Sequence, residues 1–240
     1  MNYQNLSQVD RQKKLNSSGH FSTASGLFYL DNVGVEYGDV KALKSIHLII
    51  EKGEILFITG ASGAGKSTLL KILSGDIEPH LGRIVGPHQD KGHFIAEIFQ
   101  DLRLIPSLSC LENLNLSYDP NIYKNRGEFV QDLNELAKVL GIIDRLNLKI
   151  QDANGGLAQK IAIMRALLAR PTVLLADEPT SSLDYDSTKK IFDVLNVYNI
   201  KRGLTVVWAS HNRELVKKFS GRIIHLDNGK LIYSGHACFI

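Results

Sequence analysis

The sequence predicts an α/β fold built on a mostly parallel sheet, and three observations carry that prediction. Strand-length apolar runs alternate with helical-period segments over the second half of the chain. A glycine-rich run, Gly60-Ala61-Ser62-Gly63-Ala64-Gly65-Lys66-Ser67-Thr68, stands between an apolar strand and a helix. Residues 106–148 carry apolar side chains at helical spacing with almost no strand signal, which predicts an α-helical subdomain inserted at about residues 101–168.

Taken in order, residues 28–35, 46–50 and 55–59 read as strands, separated by turns at Tyr37-Gly38-Asp39 and Glu51-Lys52-Gly53-Glu54. Three strands thus precede the first helix, and an antiparallel β subdomain is expected beside the mostly parallel sheet. Residues 66–73 place Leu69, Leu70, Ile72 and Leu73 before Gly75, a helix with a glycine stop. Strand character returns at 82–85 and 94–99. In the helical block the spaced residues are Leu111, Leu114, Leu116, Phe129, Leu133, Leu136, Ala137 and Leu140. A helix at 156–169, a strand at 173–176, a helix at 187–199, a strand at 205–209 and a helix at 212–219 follow. Strands 222–226 and 230–233 close the series around the hairpin signal Asp227-Asn228-Gly229. In such sheets ligands bind beyond the carboxyl ends of the strands.

The 240 residues are 44% hydrophobic, enough for a substantial core. No apolar stretch approaches the ~18 residues of a membrane span. Residues 1–26 are polar, lack the apolar region of a secretory signal, and read as a flexible arm preceding a domain at 27–240. Arg11, Lys13 and Lys14 in that arm read as a solvated cluster, with contact to a membrane surface as the alternative. Cys110 and Cys238 are the two cysteines; their wide separation suits a reducing compartment such as the cytoplasm. The net charge of +3 comes from interspersed residues, so no nucleic-acid partner is expected.

Gly60, Gly65, Lys66 and Ser67 satisfy the spacing G-x-x-x-x-G-K-[ST] of a P-loop, with the required strand and helix on either side. Its glycines let backbone N–H groups turn toward phosphates, Lys66 reaches the β and γ phosphates, and the Ser67 hydroxyl serves as a Mg²⁺ ligand. ATP and Mg²⁺ are therefore the expected ligands. The run Val173-Leu174-Leu175-Ala176-Asp177-Glu178 is an apolar strand ending in two carboxylates. Beside a P-loop, Asp177 suits the metal and Glu178 suits a general base for water.

These elements, in this order, resemble the nucleotide-binding domains of ABC-type ATPases over about residues 27–235. The resemblance implies that Tyr37 stacks on adenine, although a strand-end tyrosine also serves as packing. It implies that Gln100 touches Mg²⁺ or its water, that Asp184 belongs to a loop crossing to a partner subunit, and that His211 contacts the γ-phosphate. The family's signature, usually Leu-Ser-Gly-Gly-Gln, stands here as Ala153-Asn154-Gly155-Gly156-Leu157. In the family this segment completes the partner's nucleotide site, so Asn154, Gly155 and Gly156 are expected to face a second nucleotide-binding subunit, most simply another copy. Leu157 in place of the polar residue predicts slowed turnover, and Leu157→Gln is expected to restore speed. Residues 98–104 and 173–180 are most similar to FtsE-type cell-division ATPases, with LolD- and MacB-type ATPases nearly as similar. An FtsX-like or other integral membrane permease is then the implied partner, holding the subunit at the inner face of the membrane. Leu102, Leu104, Ile105 and Leu108 offer an apolar docking groove or core of the insertion. Other jobs compatible with the motifs are a soluble ABC ATPase and a weakly hydrolysing scaffold.

Overall fold

The computed structural model describes residues 26–89 and 93–236. The expected arm up to residue 25 and Cys238 lie outside the described residues.

Strands β1 (Gly26–Tyr37) and β2 (Val40–Glu51) pair antiparallel, and β1 also pairs antiparallel with β4 (Leu81–Val85), giving a three-stranded sheet in the order β2-β1-β4. The second sheet has six strands, β5 (Ile95–Ile98), β6 (Val173–Asp177), β7 (Thr205–Ser210), β3 (Ile55–Thr59), β8 (Arg222–Asp227) and β9 (Lys230–His236), in that spatial order. All its pairings are parallel except β8 with β9.

The interior of each central strand is apolar on both faces because each face meets a different core. Leu56, Ile58, Val173, Leu175, Val207 and Ala209 point to one core, shared with the antiparallel sheet and helix α1 (Lys66–Ser74). Ile55, Phe57, Leu174, Ala176, Val206 and Trp208 point to the other. That second core also receives the helical block, α2 (Cys110–Asn115), α3 (Arg126–Val139) and α4 (Gly155–Leu168), and helix α5 (Tyr185–Arg202). Its aromatic centre sets Phe57 5.7 Å from Trp208, and Phe192 stacked 4.3 Å from Phe219.

Local chemistry fixes the helix starts. Ser109 and Glu112 form a capping box on α2. Asn125, Asn154 and Asp184 accept backbone N–H bonds at the starts of α3, α4 and α5. The Asn228-Gly229 turn joins β8 to β9 with both residues left-handed, φ 48° and 78°, as a two-residue hairpin of this hand requires.

Two expectations differ from the outcome. The first two strands are longer than residues 28–35 and 46–50, since each runs through irregular pairing, and Asn32 and Ser45 adopt left-handed φ of 56° and 53°. Such bulges break the alternation by which a strand is recognised. The helix expected at 212–219 is the single turn α6 (Arg213–Val216). There the chain bends so that Phe219 reaches its stack and Gly221 passes the start of β3, where a Cβ would meet the Ile55 carbonyl oxygen at 2.8 Å.

Phe129 of α3 is fully buried, with edge contacts to Tyr123 at 5.1 Å and Tyr118 at 5.4 Å. Phe129→Ala is expected to destabilise the fold by about 3–5 kcal/mol in chemical denaturation; a loss under ~1 kcal/mol would show that this block is not part of the cooperative core.

Candidate functional site

The parallel strands deliver their carboxyl ends to one edge. Thr59 of β3 is opposite Ser210 of β7, and Asp177 of β6 is opposite Ala209. The glycine-rich loop therefore leaves the sheet beside Asp177, Glu178 and His211. Its last glycine, Gly65, precedes α1 at φ 105°, and a Cβ there would lie 2.6 Å from the carbonyl oxygen of Ala42. Both the conformation and the space demand glycine. The first turn of α1 holds no acidic side chain, which leaves its positive end open to an anion.

Lys66 is 7% exposed, and its Nζ donates to the carbonyl oxygens of Gly60 at 2.9 Å and Ala61 at 3.0 Å. It thus arches back across the loop whose centre a phosphate would fill. Ser67 Oγ donates to Asp177 Oδ2 at 2.5 Å. Glu178 has a left-handed backbone, φ 49°. Its Oε1 accepts the His211 N–H at 2.7 Å, lies 2.8 Å from His211 Nδ1 and 4.0 Å from Lys66 Nζ. The loop is braced from outside by the β8–β9 turn. Gly229 N donates to the Ala64 carbonyl at 3.1 Å, and Gly229 O accepts from Lys44 N at 2.7 Å.

A cleft of about 1050 Å³ unites Tyr37, Ala61, Ser62, Gly63, Gly65, Lys66, Ser67, Thr68, Gln100, Asp177, Glu178 and His211. Gly60 and Ala64 support it through their carbonyls. Lys44, Ser181 and Asn228 also line it and were not legible in the sequence, since they are brought there by bulge, loop and hairpin turn rather than by a motif. The donor set is a buried ammonium, a helix N-terminus and a hydroxyl against a carboxylate, which suits a polyphosphate with a hard divalent cation.

The sequence model of the ABC transporter family matches residues 43–181, a span holding the phosphate loop, Gln100, Asn154 to Gly156, Asp177 and Glu178. The chain belongs to that family. This ABC-type ATPase is 35% identical over 217 residues to the methionine import ATP-binding protein MetN of Clostridioides difficile (strain 630), covering 86% of the chain and 67% of MetN. It spans 62% of the MetN of Bacillus subtilis (strain 168), at 34% identity over 83% of the chain. With the phosphonates import ATP-binding protein PhnC 2 of Oceanobacillus iheyensis it shares 34% identity over 87% of the chain and 90% of PhnC 2. Among solved structures, the dimeric post-hydrolysis state of the ATP-binding cassette MJ0796, bound to ADP and Pi, superposes with a TM-score of 0.74. That match is at 31% identity and covers 89% of this chain and 100% of that one.

In this ABC ATPase the other predicted residues lie apart from the cleft. Asn154, Gly155, Gly156 and Asp184 line a separate pocket of about 500 Å³. Asn154 Oδ1 accepts the Leu157 N–H at 2.9 Å, which leaves the Nδ2 end of its amide as the donor it can offer to a ligand. The two glycines pack on the loop after Glu178, where a Cβ on either would come within 3.2 Å of Ser182 or Leu183. Asp184 Oδ1 accepts the Ser187 N–H at 2.7 Å, and that bond holds its carboxyl below the usual range.

Leu157, 4% exposed, belongs to the larger core and also lines the pocket of Asn154, Gly155 and Gly156. The polar side chain that matters lies two residues on and escaped notice. Gln159, also 4% exposed, donates from Nε2 to Ser181 Oγ at 2.7 Å and accepts the Ser182 N–H on Oε1 at 2.9 Å. Of the four leucine and isoleucine positions near Gln100, Leu102 and Leu104 pack against the core, while Ile105 is 42% exposed.

Leu157→Gln is therefore expected to lower stability by about 1–3 kcal/mol, the cost of burying an amide among apolar side chains. Thermal denaturation checks this; an unchanged midpoint with faster turnover would return Leu157 to the partner-facing role.

Proposed function

We propose that the chain binds ATP with Mg²⁺ in the cleft of Lys66, Ser67, Asp177 and Glu178 and hydrolyses it once a second nucleotide-binding subunit covers the γ-phosphate. The observation that carries the reading is the convergence of a buried lysine, a hydroxyl–carboxylate pair and a carboxylate joined to a histidine on one strand edge.

The residues divide the work by chemistry. Tyr37, at the open end of the cleft and 49% exposed, offers its ring to the base. Lys66 exchanges the Gly60 and Ala61 carbonyls for phosphate oxygens, which charge-assisted bonds favour. Ser67, Asp177 and Gln100 would hold Mg²⁺, which supplies charge neutralisation on the phosphates. Glu178 accepts a proton as water attacks the γ-phosphorus; the bond to the bridging oxygen breaks, and ADP and phosphate leave. The His211–Glu178 bond aims the carboxylate, and His211 turned to the γ-phosphate would release it. Asn154 Nδ2 and the N–H groups of Gly155 and Gly156, at the start of α4, would complete the site of the partner subunit. With Leu157 inside the core, the signature offers fewer polar groups than the family's, and slow turnover follows if the partner is an identical copy.

For the whole complex, we infer an ATP-binding subunit docked on a membrane permease at the cytoplasmic face. The import roles in the names of MetN and PhnC 2 favour transport. The similarity of residues 98–104 and 173–180 to FtsE-type ATPases favours a cell-division role with an FtsX-like partner as the second reading, beside LolD- and MacB-type export. No helix among the described residues is long and apolar enough to cross a membrane, which fits a subunit held there by its partner.

Lys66→Ala is expected to weaken ATP binding on the order of tenfold to a hundredfold, the loss of a charge-assisted contact of ~1.5–3 kcal/mol; equal affinity by calorimetry sinks the nucleotide assignment. Glu178→Gln is expected to keep ATP binding and lower kcat by about a hundredfold or more. Undiminished phosphate release from that variant would move the base elsewhere.

A further inference from the structure

Arg165 lies on α4, the helix whose start carries Asn154 to Gly156. Its guanidinium donates from Nη1 to the Arg103 carbonyl at 2.7 Å and from Nη2 to the Leu102 carbonyl at 2.9 Å. Those carbonyls belong to consecutive residues with left-handed backbones, φ 59° at Leu102 and 45° at Arg103. Neither is glycine, and two such residues in a row persist only where their surroundings hold them. The turn they form begins at Gln100. Leu102 N donates to the Phe99 carbonyl at 2.9 Å and Arg103 N to the Asp101 carbonyl at 2.7 Å.

The Arg165 end of this contact is itself fixed. The Arg165 carbonyl accepts the Ser117 hydroxyl at 2.8 Å, and burial lowers the guanidinium pKa, the mark of a charge drawn out of water to meet specific acceptors. A planar guanidinium fork fixes the relative orientation of two carbonyls more rigidly than the rotatable donors of a lysine ammonium. Less than two turns earlier on the same helix, Gln159 holds Ser181 and Ser182. One helix thus grips two of the chain segments that reach the cleft, at Gln100 and at Ser181.

We propose that Arg165 is the positioning residue of the Gln100 turn: it locks the left-handed pair Leu102–Arg103 and so ties the state of the cleft to the signature end of α4. The link to the cleft rests on the nucleotide reading above; the locking of the turn does not.

The test uses the full chain in three forms, wild type, Arg165→Gln and Arg165→Lys. Without nucleotide, Arg165→Gln is expected to speed amide hydrogen exchange of residues 99–105 by about tenfold or more while α3 stays within about twofold, with Arg165→Lys between the two. In the same variant ATP affinity is expected to stay within about twofold, and kcat to fall about tenfold, because the turn and not the phosphate loop has been freed. Unchanged exchange at 99–105 overturns the proposal. Equal acceleration of 99–105 and α3 overturns it too, since Arg165 would then be a general structural residue, and so does a lysine variant as protected as the wild type. Should the wild type bind no ATP, the nucleotide reading and the coupling fail together, while the exchange comparison still decides the locking of the turn.

Discussion

The parallel register of β6, β7 and β3 is the constraint on which the rest of the molecule depends. It sets Thr59 level with Ser210 and Asp177 level with Ala209, the residue before Ser210, so the loop after each strand opens into the same space. A one-residue slip would turn every side chain of a strand to the other face. It would exchange the two cores and carry Asp177 away from Ser67. Burial of all five β3 residues and all six of β7 makes such a slip costly. The polar chemistry is thereby positioned by apolar packing, and the strain at Glu178 is held by the bonds from His211.

Much of this was legible because the governing signals are local. Unbroken apolar strands, a glycine-lysine-serine spacing and a strand ending in two carboxylates each carry their meaning in a few consecutive residues. The unread parts depend on distant partners. Gln159 reads as an ordinary polar residue on a helix, and its value comes from Ser181 and Ser182, which only the fold brings near. Leu157 was read only against a family motif, and its burial in the larger core depends on the packing of α4, which the motif does not carry. The bulges at Asn32 and Ser45 hid half of β2, because a left-handed residue interrupts the alternation without leaving a glycine as a marker.

The helical block is fastened to the parallel core at points that bear on the cleft. Arg170, with φ 48°, stands at the entry to β6, and its guanidinium pairs with Glu128 and Asp132 of α3, each at 2.8 Å, while lying 4.0 Å over the Tyr123 ring. Tyr123 in turn donates to the Leu168 carbonyl at 2.6 Å. The strand that ends in Asp177 is therefore entered through a residue clamped by the helical block. Any rotation of that block must break these contacts or carry the start of β6 with it.

The bracing of the phosphate loop by the β8–β9 turn sets an order on synthesis. Gly60 lies so close to the Leu226 carbonyl that a Cβ would meet it at 2.5 Å, and the Ala64 carbonyl is capped by the N–H of Gly229. A ribosome makes the loop early and its support late. Domains fold as units during translation once their long-range partners have emerged. Until the hairpin turn has left the exit tunnel, the loop at Gly60 to Thr68 lacks the wall it leans on, so a growing chain cannot hold the nucleotide as the finished protein does.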